Sequence, residues 1–358
     1  MQGAWLKSSA IVLLLASVSV LSARAWANGE TVNGYPNWSE RVLLEWINRA
    51  RSDPQADLAA CPSGACIDNT GGCYTPQPPR VLNSNIAHSG RFHSDEMAHD
   101  NFFDHWSECN VVSGIASTYL AQPQQCNGTA SCACTGGVRN LGQFNGTDPH
   151  ARMGLFGGGA GSWGEIIAED GAGPNDTFYL FLYEQAYSSS CADVSNPNPP
   201  YQTNGHRWLI LTSQYGSVSA GPGVSGAYST VDFDDEAASA VKIPSGTHYP
   251  HQAATVDAWV NWHDAAGPSM HKIDVDGVCT DMTLARGTQT NGAWHLSISG
   301  VGSGCHRYMF FFKDSVGNTV QYPTTGSLAI GNGGASCPDW SSTTVAPCVD
   351  EIFADGFE

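Results

Sequence analysis

The side chains able to do chemistry are scattered along the chain, and most of their spacings are ones that ordinary structure also produces. His88, His93 and His99 fall on one helical stretch at mixed faces, and His93 with Glu96 makes an i,i+3 pair of the packing kind. His105 and Glu108 repeat that spacing with Glu108 beyond the helix end, while His263, His271, His295 and His306 share no common spacing. No His-Glu-x-x-His segment is present, and Ala160-Gly161-Ser162-Trp163-Gly164 falls short of a Gly-x-Ser-x-Gly nucleophile elbow. Asp274-x-Asp276-Gly277 opens like a calcium loop but lacks the closing bidentate acid, so it reads as a β-turn. Cys132-x-Cys134 and the Cys61/Cys66/Cys73 cluster lack the paired spacing of a zinc site. Asn37, Asn127, Asn145 and Asn175 each begin an N-x-Ser/Thr sequon, as loop-rich sequence produces by chance.

The elements that must position these groups show in the apolar periodicity. Val42, Leu43, Trp46, Ile47 and Ala50 have helical spacing over Trp38–Arg51, with Ser39 as expected N-cap and Asp53-Pro54 as the stop. A second helix starts at Asn83-Ser84 and ends before Phe102-Phe103-Asp104-His105. A third follows Pro174-Asn175-Asp176 through Phe178, Phe181, Leu182 and Ala186, and a fourth runs from Asn204-Gly205 to Leu211. Strand-like pieces such as Tyr215–Gly221 interleave, and long Gly/Pro/Asn/Cys-rich connections hold most of the cysteines. Past the acidic stretch Val231–Glu236 the pattern changes to period two. Val256, Ala258, Val260 and Trp262 share one strand face, Trp294, Leu296 and Ile298 another, and Tyr308–Phe312 reads as a strand buried on both faces.

The expected architecture is therefore α+β, a mixed helix–strand unit followed by an all-β, immunoglobulin-like sandwich. The boundaries are a signal peptide at 1–27, a first domain at 28–224, an acidic linker at 225–239, a β-sandwich at 240–336 and a C-terminal tail at 337–358. The signal peptide rests on Lys7, the apolar run Ile11–Leu21 and Ala25-Trp26-Ala27, a run too short to span a bilayer. Nothing later is apolar enough to cross a membrane, so the mature chain has no transmembrane segment. Its removal takes two basic residues and no acid, moving the net charge from −18 to −20. So acidic a chain repels phosphate backbones, which excludes nucleic acid as a partner. Twelve cysteines, an even number, behind an export signal read as disulfides. Cys279 with Cys305 and Cys337 with Cys348 are the expected pairs, and the eight others are left open among 105 connectivities.

Four segments taken in order resemble the CAP superfamily of plant PR-1 and cysteine-rich secretory proteins, in its bacterial secreted branch. They are INRARSDP (Ile47–Pro54), HSDEM…FFDH (His93–His105), WGEIIAE (Trp163–Glu169) and NGHRWLIL…YGSVSAGPG (Asn204–Gly223). The resemblance covers residues 40–222 and implies a three-layer α-β-α sandwich with a concave site of two histidines and two glutamates. Matched by position, these are His105 and His206, with Glu165 and, where Phe181-x-x-Glu184 stands for the family's Trp-x-x-Glu, Glu184. The asparagine that usually follows the first glutamate is Ile166 here. Two imidazoles from separate segments suit a divalent ion such as Zn²⁺, and a carboxylate beside each ring would fix its tautomer. A structural hydrogen-bond network is the alternative. The expected function is extracellular binding of a metal, a lipid or a cell-surface partner through this cleft. A metal-dependent hydrolase on the same four residues is the first rival. An adhesion protein binding through the sandwich, with Trp259 and His263 as an exposed row, is the second.

Overall fold

The computed structural model describes residues 28–60, 74–119, 146–159, 161–183, 205–212, 219–235, 241–334 and 337–348. Residues 1–27, Glu184, the segment 349–358 and all the cysteines before residue 192 except Cys109 lie outside the described residues. Cys109 is disulfide-bonded.

Helix α1 (Trp38–Ser52) is capped two residues earlier than Ser39 implies. Asn37 is the N-cap: its side chain accepts from the Glu40 amide at 2.9 Å, and Glu40 Oε2 accepts from the Asn37 amide at 2.9 Å. That reciprocal box needs a carboxylate three residues on, which Asn37 has and Ser39, followed by Val42, has not. Asp53-Pro54 ends α1 as expected and starts α2 (Pro54–Ala60). Every residue of α1 from Glu40 to Ser52 is buried, including its charged ones.

Four strands form the first sheet, in the order β1-β3-β4-β2: β1 (Val81–Leu82), β2 (Trp163–Ala168), β3 (Ser219–Ser225) and β4 (Tyr228–Asp234). Only the β1–β3 pair is parallel. Alternation gives the sheet two unlike faces. Ile166, Ala168, Ala220, Val231 and Phe233 form an apolar face against α1, α6 (Pro174–Tyr183) and α7 (Gly205–Leu211). The opposite face offers Gly221, Gly223, Thr230, Asp232 and Asp234 to α3 (Ser84–Asp100), beside which α5 (Pro149–Leu155) packs. This is the three-layer α-β-α arrangement; a single turn, α4 (Ile115–Thr118), lies outside the layers. The α3 side is held by close approach and hydrogen bonds more than by apolar bulk. A Cβ on Gly223 would sit 1.9 Å from the Arg91 backbone nitrogen, and one on Gly221 2.3 Å from that of Ala87. Ser94 Oγ donates into the same seam at Gly223 O, 3.0 Å.

The acidic stretch around Val231 is thus not a linker. Its Val-Asp-Phe-Asp alternation is strand β4, an inner strand of the sheet, with the apolar residues on one face and the acids on the other. The 225–239 boundary is corrected accordingly, the first unit reaching Asp234.

The second unit is the immunoglobulin-like sandwich. One sheet runs β5 (Gly246–Tyr249), β6 (Thr255–His263), β10 (Asn291–Ser299), β9 (Thr283–Thr288). The other runs β14 (Trp340–Ser341), β13 (Ser327–Asn332), β11 (Gly304–Lys313), β7 (Met270–Val275), β8 (Val278–Asp281), with β12 (Thr319–Tyr322) also on β11. In chain order this is A-B-E-D against G-F-C with an added C′ strand, the order of that fold. Val256, Ala258, Val260, Trp262 and Trp294 meet Ile273, Tyr308, Phe310 and Phe312 in the core. Strand β11 is buried on both faces as its composition implies, because Met309 and Phe311 on its far side are covered by Met270 and Cys348.

That cover overturns both expected disulfides. The bonds are Cys279–Cys348 and Cys305–Cys337, with Cα–Cα distances of 5.7 and 5.4 Å. Cys279 on β8 and Cys305 on β11 are separated by β7, so two interstrand spacings, about 10 Å, lie between them, beyond the reach of roughly 7 Å that a disulfide allows. Cys337 lies instead over Gly331, which pairs with Cys305 across the β11–β13 ladder. Residues 337–348 are consequently part of the sandwich, not a tail: β14 extends its sheet and Cys348 straps its outer face.

The two units do not separate. Trp259 of β6 meets Trp46 edge-on at 6.1 Å, and the Arg49 guanidinium lies 4.1 Å from the Trp46 ring and 5.0 Å from that of Trp259. Asn261 Nδ2 donates to Glu45 at 2.6 Å, Trp38 Nε1 to His248 O at 2.9 Å, and the Trp38 amide to Asp339 at 2.7 Å. Even Asn28 docks on the sandwich, through Ile243 O at 3.0 Å. One face of the β5-β6-β10-β9 sheet is the floor under α1, so the two units share a packed surface.

Peptide mapping without reduction should recover Cys279–Cys348 and Cys305–Cys337; a Cys279–Cys305 peptide would contradict this strand order. Gly223→Ala should destabilise by at least the ~1–3 kcal/mol of an overpacked core, since its new methyl meets backbone that cannot rotate away. Denaturant midpoints of the two chains are the measure.

Candidate functional site

The first unit gathers two His–Glu pairs around one buried arginine. His105, at the end of the Phe102-Phe103-Asp104-His105 segment after α3, places Nδ1 2.9 Å from Glu165 Oε1 on β2. Arg152, on helix α5, bonds the other Glu165 oxygen and also donates from Nη1 to His105 O at 3.1 Å and Ser107 Oγ at 3.0 Å. Ser107 in turn donates to Glu96 at 2.6 Å, and Glu96 contacts His93 Nδ1 at 2.5 Å. His93 Nε2 returns to Asp104 O at 2.8 Å, closing the network on the same loop that carries His105.

Local sequence explains the placement. Asp148-Pro149 starts α5 with a side-chain cap (Asp148 to the Ala151 amide, 2.9 Å) and a proline in the first turn, and Arg152 then points back to the sheet, fully buried. Glu165 occupies the α3-side face of edge strand β2, where alternation sets it directly opposite Asp232 of β4.

Two buried carboxylates facing one another cannot both be charged cheaply. Burial tends to raise Glu165, but the Arg152 guanidinium, helped by His93 and His105, outweighs it and holds Glu165 well below the usual carboxylate range. Asp232 goes the other way: burial and the charge of Glu165 push it well above its ordinary value, against the pull of Arg152. Glu165 is the anion and Asp232 keeps the proton. Being ionised, Glu165 can only accept, so in neutral His105 the proton sits on Nδ1 and Nε2 keeps the lone pair. The His105 side chain is 45% exposed while that of Glu165 is 1% exposed, so a ring fixed from below faces outward.

His206, in the first turn of α7, is half-buried, edge-on to Phe181 at 5.4 Å. Burial, and secondarily neighbouring His105, push its pKa down to about 4, so it is neutral at ordinary pH. The structure thus places His105 in contact with Glu165 and His206 within electrostatic reach of His105; Glu184 lies outside the described residues.

For a metal ion the donor set is two imidazoles. Among the described residues no three His, Cys, Asp or Glu donors of this corner come within 4.8 Å of one another. The group that does, Asp274, Cys279 and Cys348, has both its sulfurs in a disulfide. A divalent ion here would rest on His105 and His206, with Glu165 orienting the first ring and water completing the shell.

Sequence reasoning missed Arg152 and Asp232 and took the His93–Glu96 spacing as simple packing. The Asp148-Pro149 start signal was there to announce α5, and the period-two alternation around Asp232 to announce a strand.

No family model matches the chain, and no curated protein does either. Among solved structures, it is similar to an extracellular protein containing an SCP domain from Bacillus anthracis, at 14% identity and a TM-score of 0.30, over 55% of this chain and 41% of that one. It is also similar to SGBP-B of the Bacteroides ovatus mixed-linkage glucan utilization locus, solved with a mixed-linkage heptasaccharide. There the identity is 7% and the TM-score 0.17, over 33% of this chain and 36% of that one. The chain spans about two fifths of the first protein and just over a third of the second.

Removing the cation should be costly. Arg152→Met leaves Glu165 charged and unpaired in the interior, and breaking such a buried pair costs about 3–5 kcal/mol. Denaturant unfolding at pH 7 would show it; a loss below about 1 kcal/mol, the scale of an exposed ion pair, would mean the network does not hold this corner together.

Proposed function

We propose that this is a secreted protein of the CAP type that acts by binding an extracellular ligand at the corner formed by His105, Glu165 and His206. The observation that carries the reading is the His105 ring, half-exposed with Nδ1 held by a buried, arginine-paired carboxylate. Such an arrangement presents a lone pair in a fixed direction, which packing alone does not call for. Two of the large apolar side chains exposed in the described residues flank the same contact: Phe103 (43%) two residues before His105, and Trp163 (38%) two before Glu165. Trp163 is stacked on His150 with rings 5.4 Å apart and nearly parallel at 3°. The motif order noted in the sequence, now distributed over α1, α3, β2 and α7, supports the family reading. The disulfides support an oxidising, extracellular setting. No helix among the described residues is long and apolar enough to cross a membrane.

The adhesion alternative loses its best feature, since Trp259 is packed on α1 and on His295, ring centroids 4.4 Å apart, instead of forming a free row.

Zinc is the probe for the site. Calorimetric titration should show binding that His105→Ala and His206→Ala each abolish, while Glu165→Gln, checked to be folded, weakens it by about 10–100-fold, as loss of a supporting carboxylate does. Because His206 protonates only near pH 4, its share of the binding should persist at pH 5. Unchanged affinity in both alanine variants would remove the metal and leave the corner as a structural network.

A further inference from the structure

Glu45 lies at the centre of the surface where the two units meet, and it is fully buried. Its Oε1 accepts from Asn261 Nδ2 of strand β6 at 2.6 Å. The remaining polar atoms of this bonded pair, Glu45 Oε2 and Asn261 Oδ1, are both buried acceptors without a hydrogen-bond partner. Two orphan acceptors on side chains already in contact have a simple resolution: a proton on Oε2 turns one of them into a donor for the other. We propose that Glu45 carries a proton in the folded protein and forms an acid–amide pair with Asn261, a latch between α1 and β6 that is released when the proton is lost.

The surroundings agree. Burial is the dominant influence and pushes the Glu45 carboxyl up to about 8, against the Ser245 hydroxyl, Arg49 and the Asn261 amide, and with Asp57. The cation that could neutralise an anion at this place is already committed, since Arg49 forks onto Asp57 with contacts of 2.6–3.1 Å. The Ser245 hydroxyl accepts from Asn48 at 2.9 Å and turns its own proton to the Glu45 carboxyl, a neutral donor that supplies no charge, and Tyr322 of β12 is a further titratable neighbour, itself raised mainly by its own burial. Nothing in this set offers Glu45 a full counter-charge.

The sign follows from linkage. A carboxyl whose value is raised on folding contributes its stability below the unfolded value, near 4.3, and loses it as the pH rises toward the folded value of about 8. Glutamine reproduces the neutral acid, a carbonyl for Asn261 Nδ2 and an N–H donor for Oδ1, without titrating. Denaturant unfolding of the disulfide-intact wild type and of Glu45→Gln between pH 4 and 9 is the experiment. The two chains should be nearly equal at pH 4, and the wild type should then lose up to tenfold per pH unit in its folding equilibrium relative to the variant, levelling off above about 8. Glu45→Ala, which loses both hydrogen bonds, should be destabilised across the whole range. Parallel pH profiles for wild type and Glu45→Gln would overturn the proposal. So would a glutamine variant less stable than wild type at every pH or unable to fold while Glu45→Ala folds.

Discussion

The structure depends on burying helix α1 on every side although it is not an apolar helix. Glu40, Arg41, Glu45, Asn48, Arg49 and Arg51 are all removed from water, and each such group costs several kcal/mol unless it is answered. The answers come from everywhere. Arg91 of α3 pairs with Glu40, Asp57 of α2 with Arg49, and the carbonyls of Ile210, Thr212 and Pro78 with Arg51. Asn261 of the sandwich bonds Glu45. A helix whose polar side is satisfied by both units cannot belong to one of them, which is why the two share a continuous packed surface.

The same economy of partners shapes the site. Three glycines, Gly90, Gly221 and Gly223, bring α3 so close to the sheet that large apolar side chains have no room there. What fills that layer is hydrogen bonds and acids, and an acid-rich layer needs a cation. Arg152 supplies it, and by fixing Glu165 as the anion it also sets which nitrogen of His105 is left to face outward. Site chemistry and packing are one network here.

Much of this was legible. Helix periodicity located α1, α3, α7 and the start of α6 to within a residue or two, and alternation located β6, β10 and the doubly buried β11. The motif order placed His105 beside Glu165 from 60 residues away. The failures share a cause: they turn on what lies next to an element, which one chain's pattern does not state. Trp259 alternates correctly, but its outward face meets α1 and not solvent. Asp232 and Asp234 look like solvated linker acids until a helix covers them. The disulfides follow strand order, and β7 intervening between β8 and β11 could not be read from cysteine spacing.

The amide of Trp38 is held by Asp339, 301 residues later in the chain. Helix α1 is therefore completed by a segment about 300 residues further along the chain, and Arg41, whose guanidinium lies 3.8 Å from the same Asp339 carboxylate, lacks that partner until the distant segment is in place. Long-range closure of this kind carries a loop-closure entropy that must be met before the contact can reward it, so α1 gains its last bonds only as the rest of the fold assembles around it.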